Sequence, residues 1–202
     1  MHRHILLKEI SEGEIYLSRA DPALAVLIAK QQPLLIVSRG NYFYSLCRSI
    51  IGQQISTVAA RAIFNRFDTI GGTDPEKLLT LSDIRLREIG LSGQKISYLK
   101  DLASHFIKNQ NIYNHLETLS DDEIINHLIS IRGIGIWTAQ MFLMFSLHRL
   151  DVFAVDDNGI QRAMINLYEW TTRPSKKELI DYVQHWKPYR TIACWHLWKS
   201  LE

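Results

Sequence analysis

Apolar residues recur at helical spacing along most of the chain, and short polar caps separate the apolar runs. Between positions 58 and 67 the apolar residues fall near a helical repeat, and Ser56 and Thr57 precede them as cap residues. Two further segments, 120–123 and 175–178, have a serine followed three residues later by a glutamate, which is the capping-box pattern of a helix start. The pattern predicts a mainly α protein of about ten helices.

Glycine, proline and serine mark the predicted helix ends. The segment 71–75 predicts a loop that ends with proline at the first position of the next helix. A short helix is predicted from Ser82 to the glycine at position 90, and a longer one over 92–109. The first forty residues are the one plausible β region, where the apolar run 33–37 fits either a strand or a helix.

The segment 128–140 is the most informative part of the chain. It predicts a capped helix that runs into Gly133-Ile134-Gly135, followed at once by an apolar helix over 136–145. Two glycines around one apolar residue permit a tight turn, and the turn presents backbone N–H groups at the start of the next helix, where a phosphate can bind. A plain helix–helix turn and a DNA-binding helix–hairpin–helix fit this segment about equally well.

A pair of aspartates follows the hairpin by about 22 residues. The short apolar approach 150–155 ends in Asp156 and Asp157, which open another predicted helix. An aspartate at a helix start is usually a cap, and by itself the pair predicts no more than that.

Composition leaves both enzymatic and DNA-binding functions open. The chain has 202 residues and a formal net charge of +2, which neither requires nor excludes a nucleic-acid partner. Its two cysteines are far apart, and its eight histidines form no HxxxH or HExxH pattern, so no metal site is predicted with certainty. No apolar signal segment or membrane-length run is present, which predicts a cytosolic protein.

Taken together, these segments resemble the helix–hairpin–helix–Gly/Pro…Asp superfamily of DNA glycosylases, most closely its 3-methyladenine DNA glycosylase II branch. The resemblance covers roughly residues 42–199. It is carried by five segments: 50–56, 89–95, the hairpin with Trp137-Thr138-Ala139, 151–157, and 186–190 followed by Trp198. Only about forty residues precede the shared core, so the chain is similar to the compact form that lacks an extra N-terminal β-rich domain.

The resemblance implies two helical subdomains with the active-site cleft between them. Residues 1–40 and 151–202 are expected to form one subdomain. Residues 41–150 are expected to form the central subdomain, with the helix–hairpin–helix at about 120–147.

The resemblance also assigns roles to residues around the hairpin and the aspartate pair. Asp157 matches the catalytic aspartate, and Asp156 is expected to cap the helix or support the site. Trp137 stands where bifunctional relatives have a lysine that attacks the sugar, which implies a monofunctional enzyme without a lyase step. Trp198 matches a second aromatic residue of the base pocket, and Met141 stands where a tyrosine would complete it. Core packing is the alternative explanation for each tryptophan.

Binding to duplex DNA is implied by two further sets of residues. Gln54 matches the wedge that fills the space left by an extruded base, with a solvent-exposed loop residue as the alternative. The hairpin residues expected to contact the DNA backbone are Arg132, Gly133, Ile134, Gly135 and Thr138. No cofactor is expected, although the hairpin carbonyl groups could hold a monovalent cation.

The function expected from the resemblance is hydrolysis of the N-glycosidic bond of alkylated purines in double-stranded DNA, by a monomer. Two alternatives stay open: an oxidised-base glycosylase of the same superfamily, and a non-catalytic module that binds damaged DNA. The expected location is the cytoplasm, associated with the nucleoid, in a bacterium and the nucleus in a eukaryote.

Overall fold

The computed structural model describes the backbone of residues 2–34 and 41–202, and side chains from residue 8 onward within those ranges. These parts contain α-helices and turns but no β-strand. The α-helices are α1 (His2–Ala20), α2 (Pro22–Lys30), α3 (Tyr42–Gly52), α4 (Thr57–Thr69), α5 (Pro75–Thr80), α6 (Asp83–Glu88), α7 (Gly93–Lys108), α8 (Gln110–Tyr113), α9 (Asp121–Ile129), α10 (Ile136–Phe145), α11 (Asn158–Leu167), α12 (Lys176–Tyr182) and α13 (Arg190–Lys199). Two 3-10 segments, Leu116–Thr118 and Val183–Trp186, complete the described helical structure.

The helix starts predicted from cap residues are confirmed. Ser56 caps α4 and Ser92 caps α7, each by accepting a hydrogen bond from a backbone N–H of the first turn. Both capping boxes form: Ser120 and Glu123 at α9 bond each other's backbone N–H groups, as do Ser175 and Glu178 at α12. These motifs are local, so the sequence alone places the helix starts correctly.

The prediction of a β region near the N-terminus is wrong for the part that is described. The helices α1 and α2 occupy it, and Pro33 and Leu34 belong to no regular element, while residues 35–37 lie outside the described residues. Asp21 separates the two helices and caps α2 through the backbone N–H groups of Ala23 and Leu24. Its Oδ2 also accepts hydrogen bonds from Tyr168 Oη at 2.7 Å and Trp186 Nε1 at 3.0 Å, contacts that no local pattern indicates. With α1, α2 and the short α8, the described residues contain thirteen α-helices, whereas about ten were predicted.

The described residues form two compact units. The described parts of Met1–Ser38 group with Leu143–Glu202, and those of Arg39–Phe142 form the second unit. Residues 143–150 thus lie in the first unit, whereas the sequence analysis assigned them to the central segment. The cause is visible in three contacts: Thr191 N donates to Leu150 O at 2.9 Å, Thr191 Oγ1 donates to Arg149 O at 2.6 Å, and Arg149 N donates to Leu143 O at 2.9 Å.

Each unit has its own buried helix at the centre. In the first unit α13 packs against α1, α2 and α11, and its side chains from Thr191 to Leu197 are buried. In the second unit α7 packs against α3, α5 and α6, with Leu99 and Leu102 fully buried. None of the described helices combines the length and the apolar character that a membrane span requires.

Candidate DNA-binding and catalytic site

Asp157 is the cap residue of α11, and Trp198 of α13 holds its carboxylate. The Oδ1 atom of Asp157 accepts a hydrogen bond from Ile160 N at 2.8 Å and a second from Trp198 Nε1 at 2.9 Å. The side chain of Asp157 is half-buried, so the carboxylate is fixed but not sealed in the core. The structure therefore brings together two residues that the resemblance assigned to the same site from opposite ends of a 41-residue separation.

The glycine at position 159 lies against this pair. A Cβ atom there would lie 2.9 Å from Asp157 Oδ1 and 3.3 Å from Trp198 Cδ1. Only a residue without a side chain leaves the carboxylate and the indole in their observed positions. Gly159 has no sequence signal for this role, because nothing in its local pattern indicates a close approach by a residue of another helix.

Trp198 also packs on the end of α10. Its ring lies 5.8 Å from that of Phe145, with an angle of 30° between the planes. Trp198 is half-buried, and its polar edge is satisfied by Asp157. Trp198 thus both packs on Phe145 and bonds Asp157, and its place in a base pocket stays a prediction.

The segment leading to Asp157 is fastened to the start of α13. Arg190 Nε donates to Asp151 Oδ1 at 2.6 Å, and Arg190 Nη2 donates to Asp151 Oδ2 at 3.0 Å, a bidentate pair. Val152 N donates to Thr191 Oγ1 at 2.9 Å, and Gln161 Nε2 donates to Val155 O at 2.6 Å. These contacts fix the backbone that leads into the aspartate pair.

Asp156 forms an ion pair with Lys176 Nζ, and the carboxylate is 44% exposed. Asp156 does not cap the helix, since Asp157 occupies the cap position, and its role in supporting the site stays a prediction. Two adjacent aspartates at a helix start give the same local signal. The position of the first helical turn decides between them.

The hairpin between α9 and α10 has the predicted tight turn, built around one of its two glycines. Gly133 has φ +84°, in the left-handed region that favours glycine, and Ile134 N donates to Ile131 O at 3.1 Å. A Cβ atom at Gly133 would lie 2.1 Å from Tyr98 Cδ2, whereas one at Gly135 would meet nothing within 4 Å. The expectation of unusual backbone angles therefore holds for Gly133, while Gly135 leaves open space at the start of α10.

The other hairpin residues differ in what they present to solvent. Ile134 is buried and fills the turn, as a plug between the two helices would. Arg132 has a side chain 65% exposed, and its backbone N–H donates to Asp101 Oδ2 at 2.8 Å. The side chain of Thr138 is buried, so any contact of this residue with a phosphate has to come from its backbone.

Trp137 lies on the first turn of α10 and is 46% exposed. Core packing therefore does not explain this residue. Ile136 beside it is also exposed, and Met141, one turn further along, is half-buried. The exposed part of this indole lies directly after the hairpin.

The loop between α3 and α4 contains the exposed Gln54, which has φ +58°. The preceding residue, Gln53, donates from Nε2 to Gly133 O of the hairpin at 2.9 Å. Lys95 donates from Nζ to Ile51 O at 2.7 Å and to Gln53 O at 2.9 Å. Lys95 lies in one of the segments that carry the resemblance, but its role has no sequence signal, because a contact across 42 residues leaves no local pattern.

The predicted site residues thus fall into two sets, each described within its own unit. Asp157 and Trp198 meet in the first unit. The Gln54 loop and the hairpin meet in the second, which also contains Trp137 and Met141. Within the described residues, no three side chains of His, Cys, Asp or Glu group as they would around a metal ion.

The chain is similar to known DNA repair proteins. A profile described as "HhH-GPD superfamily base excision DNA repair protein" matches residues 47–188. DNA-3-methyladenine glycosylase 1 of Schizosaccharomyces pombe is 32% identical over 203 residues, which cover 96% of this chain and 89% of that protein.

Two solved structures are similar along nearly the whole chain. The crystal structure of DNA-3-methyladenine glycosidase from Bacillus halodurans has a TM-score of 0.84 and 39% identity, covering 93% of this chain and 88% of that one. The Schizosaccharomyces pombe 3-methyladenine DNA glycosylase in complex with abasic DNA has a TM-score of 0.79 and 33% identity, covering 94% of this chain and 96% of that one.

Proposed function

Because the chain belongs to the HhH-GPD superfamily of base excision DNA repair proteins, we propose that it is a monofunctional DNA glycosylase that releases alkylated purines of the 3-methyladenine and 7-methylguanine type. The observation that carries this proposal is the half-buried carboxylate of Asp157, held by Ile160 N and Trp198 Nε1. Capping of α11 accounts for the bond from Ile160 N, whereas the second donor, Trp198 Nε1, orients the same carboxylate as catalysis requires. The similarity to DNA-3-methyladenine glycosylases supports alkylated bases as the substrate class.

The proposed reaction needs one carboxylate and one water molecule. As the bond between C1′ and the base nitrogen breaks, positive charge develops on the sugar, and the Asp157 carboxylate stabilises that charge. The base takes the electron pair of the broken bond. A purine already cationic from alkylation leaves as a neutral base, so it requires no strong general acid. Water then supplies the new C1′–O bond, and its proton passes to Asp157 or to solvent.

Trp137 supports the hydrolytic form of the reaction. An indole has no amine to form a Schiff base with the sugar, so no covalent adduct and no strand cleavage are expected. The exposed ring can instead stack on an extruded cationic base, a cation–π contact worth about 1–2 kcal/mol when desolvated. Met141 is assigned to the same pocket, where its flexible thioether adapts to bases of different shape.

Double-stranded DNA with a damaged base is the proposed partner of a monomer. The turn at Gly133 and the start of α10 are proposed to receive a backbone phosphate. The side chain of Arg132 is 65% exposed, pairs through Nε with Asp101 Oδ1 at 3.4 Å, and is proposed to contact the DNA backbone beside the turn. Exposed Gln54 is proposed to enter the space that the extruded base leaves. A monovalent cation on the hairpin carbonyl groups would strengthen the phosphate contact and take no part in the chemistry.

The proposal is tested by incubating the protein with methylated duplex DNA and separating the released bases by chromatography. Free 3-methyladenine and 7-methylguanine are expected, with an intact abasic strand, and with unchanged rates in the presence of a chelator. Sodium borohydride should trap no covalent adduct. Preferential release of 8-oxoguanine would favour an oxidised-base glycosylase, and binding without release of any base would favour a non-catalytic module.

A further inference from the structure

We propose that Lys95 and Gln53 are positioning residues for base extrusion. They hold the loop between α3 and α4, which contains Gln54, in a fixed position against the hairpin. This inference rests on the proposed function, in which Gln54 acts as the wedge. Neither Lys95 nor Gln53 needs to touch the damaged base. Their contribution is to keep the wedge in place while DNA resists its entry.

Lys95 anchors the loop from the first turn of α7. Its ammonium group donates to Ile51 O at 2.7 Å and to Gln53 O at 2.9 Å, two carbonyl groups at the C-terminal end of α3. Such carbonyls lack partners inside their own helix, and a cation is favoured beside them. Lys95 is half-buried, and this desolvation lowers the pKa of its ammonium group below the usual value. Its two hydrogen bonds to backbone carbonyl groups distinguish it from a lysine that lies in solvent.

The backbone that Lys95 anchors is in an unfavourable conformation. Gln54 has φ +58°, a region that residues other than glycine rarely occupy. A short loop in such a conformation keeps its shape only when its neighbours hold it. One of the two bonds from Lys95 ends on Gln53 O, directly before Gln54, and holds the backbone at the point where the exposed side chain begins.

Gln53 carries the connection from the loop to the hairpin. Its backbone carbonyl accepts from Lys95, and its side-chain Nε2 donates to Gly133 O at 2.9 Å. Gly133 is the turn residue with positive φ, and the hairpin is the proposed phosphate seat. Displacement of Gln54 by the base stack is thus resisted through Gln53, because Gln53 is hydrogen-bonded to the hairpin. The hairpin is in turn proposed to be bound to the DNA backbone.

This arrangement predicts that loss of Lys95 or Gln53 uncouples extrusion from binding. Contacts between the hairpin and the backbone phosphates should survive, because neither side chain is proposed to touch a phosphate and Gln53 bonds only the carbonyl group of Gly133. Stable insertion at a lesion should be lost, because the loop can then leave its strained conformation. The affinity for undamaged DNA and the affinity for an abasic site should therefore respond differently to the same substitution.

The experiment uses Lys95→Met, Gln53→Leu and Lys95→Arg in the full chain. The matched control is Lys100→Met, which removes a lysine from the same helix, where Lys100 Nζ pairs with Asp83 Oδ1 at 2.6 Å. Affinity is measured for an undamaged duplex and for one containing a tetrahydrofuran abasic analogue. A 2-aminopurine beside the analogue reports disruption of the base stack by its fluorescence. Thermal unfolding identifies any variant that fails to fold.

Lys95→Met and Gln53→Leu should each lower the preference for the abasic duplex by about tenfold and reduce the fluorescence increase. Affinity for the undamaged duplex should change by no more than about threefold. Lys95→Arg should recover part of the preference, and Lys100→Met should leave it as in the wild type. An unchanged preference in folded Lys95→Met and Gln53→Leu, beside a wild type that releases methylated bases, overturns this inference alone. A wild type with no preference for the abasic duplex and no base release overturns the proposed function instead.

Discussion

The indole N–H of Trp198 donates a 2.9 Å hydrogen bond to the Oδ1 atom of Asp157. The same oxygen accepts from Ile160 N, so one donor comes from α13 and the other from the first turn of α11. The aspartate is therefore both a helix cap and an oriented carboxylate.

Trp198→Phe tests the contribution of the indole N–H. The phenyl ring can still pack beside Phe145, but the donor to Asp157 is lost, so base release should slow by about tenfold or more. Single-turnover rates on methylated DNA measure the effect. Trp195→Phe is the matched control, because Trp195 lies on the same helix and contacts the same ring, while its buried Nε1 has no hydrogen-bond partner. Equal losses in both variants would mean that packing, and not the hydrogen bond, matters.

Gly159→Ala tests whether the space beside the carboxylate is required. Alanine favours a helix by about 0.5–1 kcal/mol over glycine, yet its Cβ would lie 2.9 Å from Asp157 Oδ1 and displace it. Base release should fall by about ten- to hundredfold with little loss of thermal stability. Gly93→Ala at the start of α7 serves as control, because its nearest neighbour would be Arg87 Nη2 at 3.7 Å. Full activity in Gly159→Ala would exclude a role for this close approach.

The two hairpin glycines should respond differently to alanine. Gly133→Ala should destabilise the fold by at least about 1–3 kcal/mol, because of its φ of +84° and the collision with Tyr98. Gly135→Ala should leave thermal stability unchanged, since nothing lies within 4 Å of its Cβ. If the hairpin binds phosphate, a bulkier residue at position 135 should weaken binding to all duplex sequences alike. A loss confined to particular sequences would contradict backbone recognition.

Sequence predicts the features that are local in this chain and misses those that are not. Ser120 with Glu123, and Ser92 before α7, carry their whole signal within one turn, so the helix starts are correct. The bond between Lys95 and Gln53 O and the bond between Asp21 and Trp186 join distant segments, and each depends on packing that no periodicity encodes. Residue identity indicated Asp157 and Trp198 through resemblance, but only the structure gives the contact between them.

The stability of the protein should fall as the pH falls below about 6.5, because of His196. Burial lowers the pKa of His196 from 6.5 to about 4, and the positive charge of Lys199 makes a smaller contribution in the same direction. Between pH 6.5 and about 4, His196 is thus protonated in the unfolded chain but neutral in the folded chain. The contribution of His196 to the free energy of unfolding is fully present above pH 6.5 and is lost as the pH falls towards about 4. The total loss is at most about 3 kcal/mol.

Glu14, whose Oε1 lies 3.0 Å from His196 Nε2, acts in the opposite direction. Burial raises its pKa above the usual value, although Lys199 opposes the shift, so its contribution is lost as the pH rises. The shift at His196 is the larger one and sets the sign. Urea unfolding at several pH values measures the dependence, and His196→Gln should flatten it. A wild-type stability that is constant between pH 7 and pH 5 would refute this assignment.

Single-turnover base release by Asp157→Asn, on duplex DNA containing 7-methylguanine, tests the central claim most directly. Asparagine can still cap α11 and accept from Trp198, so the fold should persist while the charge disappears. The rate should fall by at least about a hundredfold, with DNA affinity equal or higher. Asp156→Asn, which removes the ion pair with Lys176, should keep the wild-type rate within about threefold. Comparable base release by Asp157→Asn and the wild type would contradict the account.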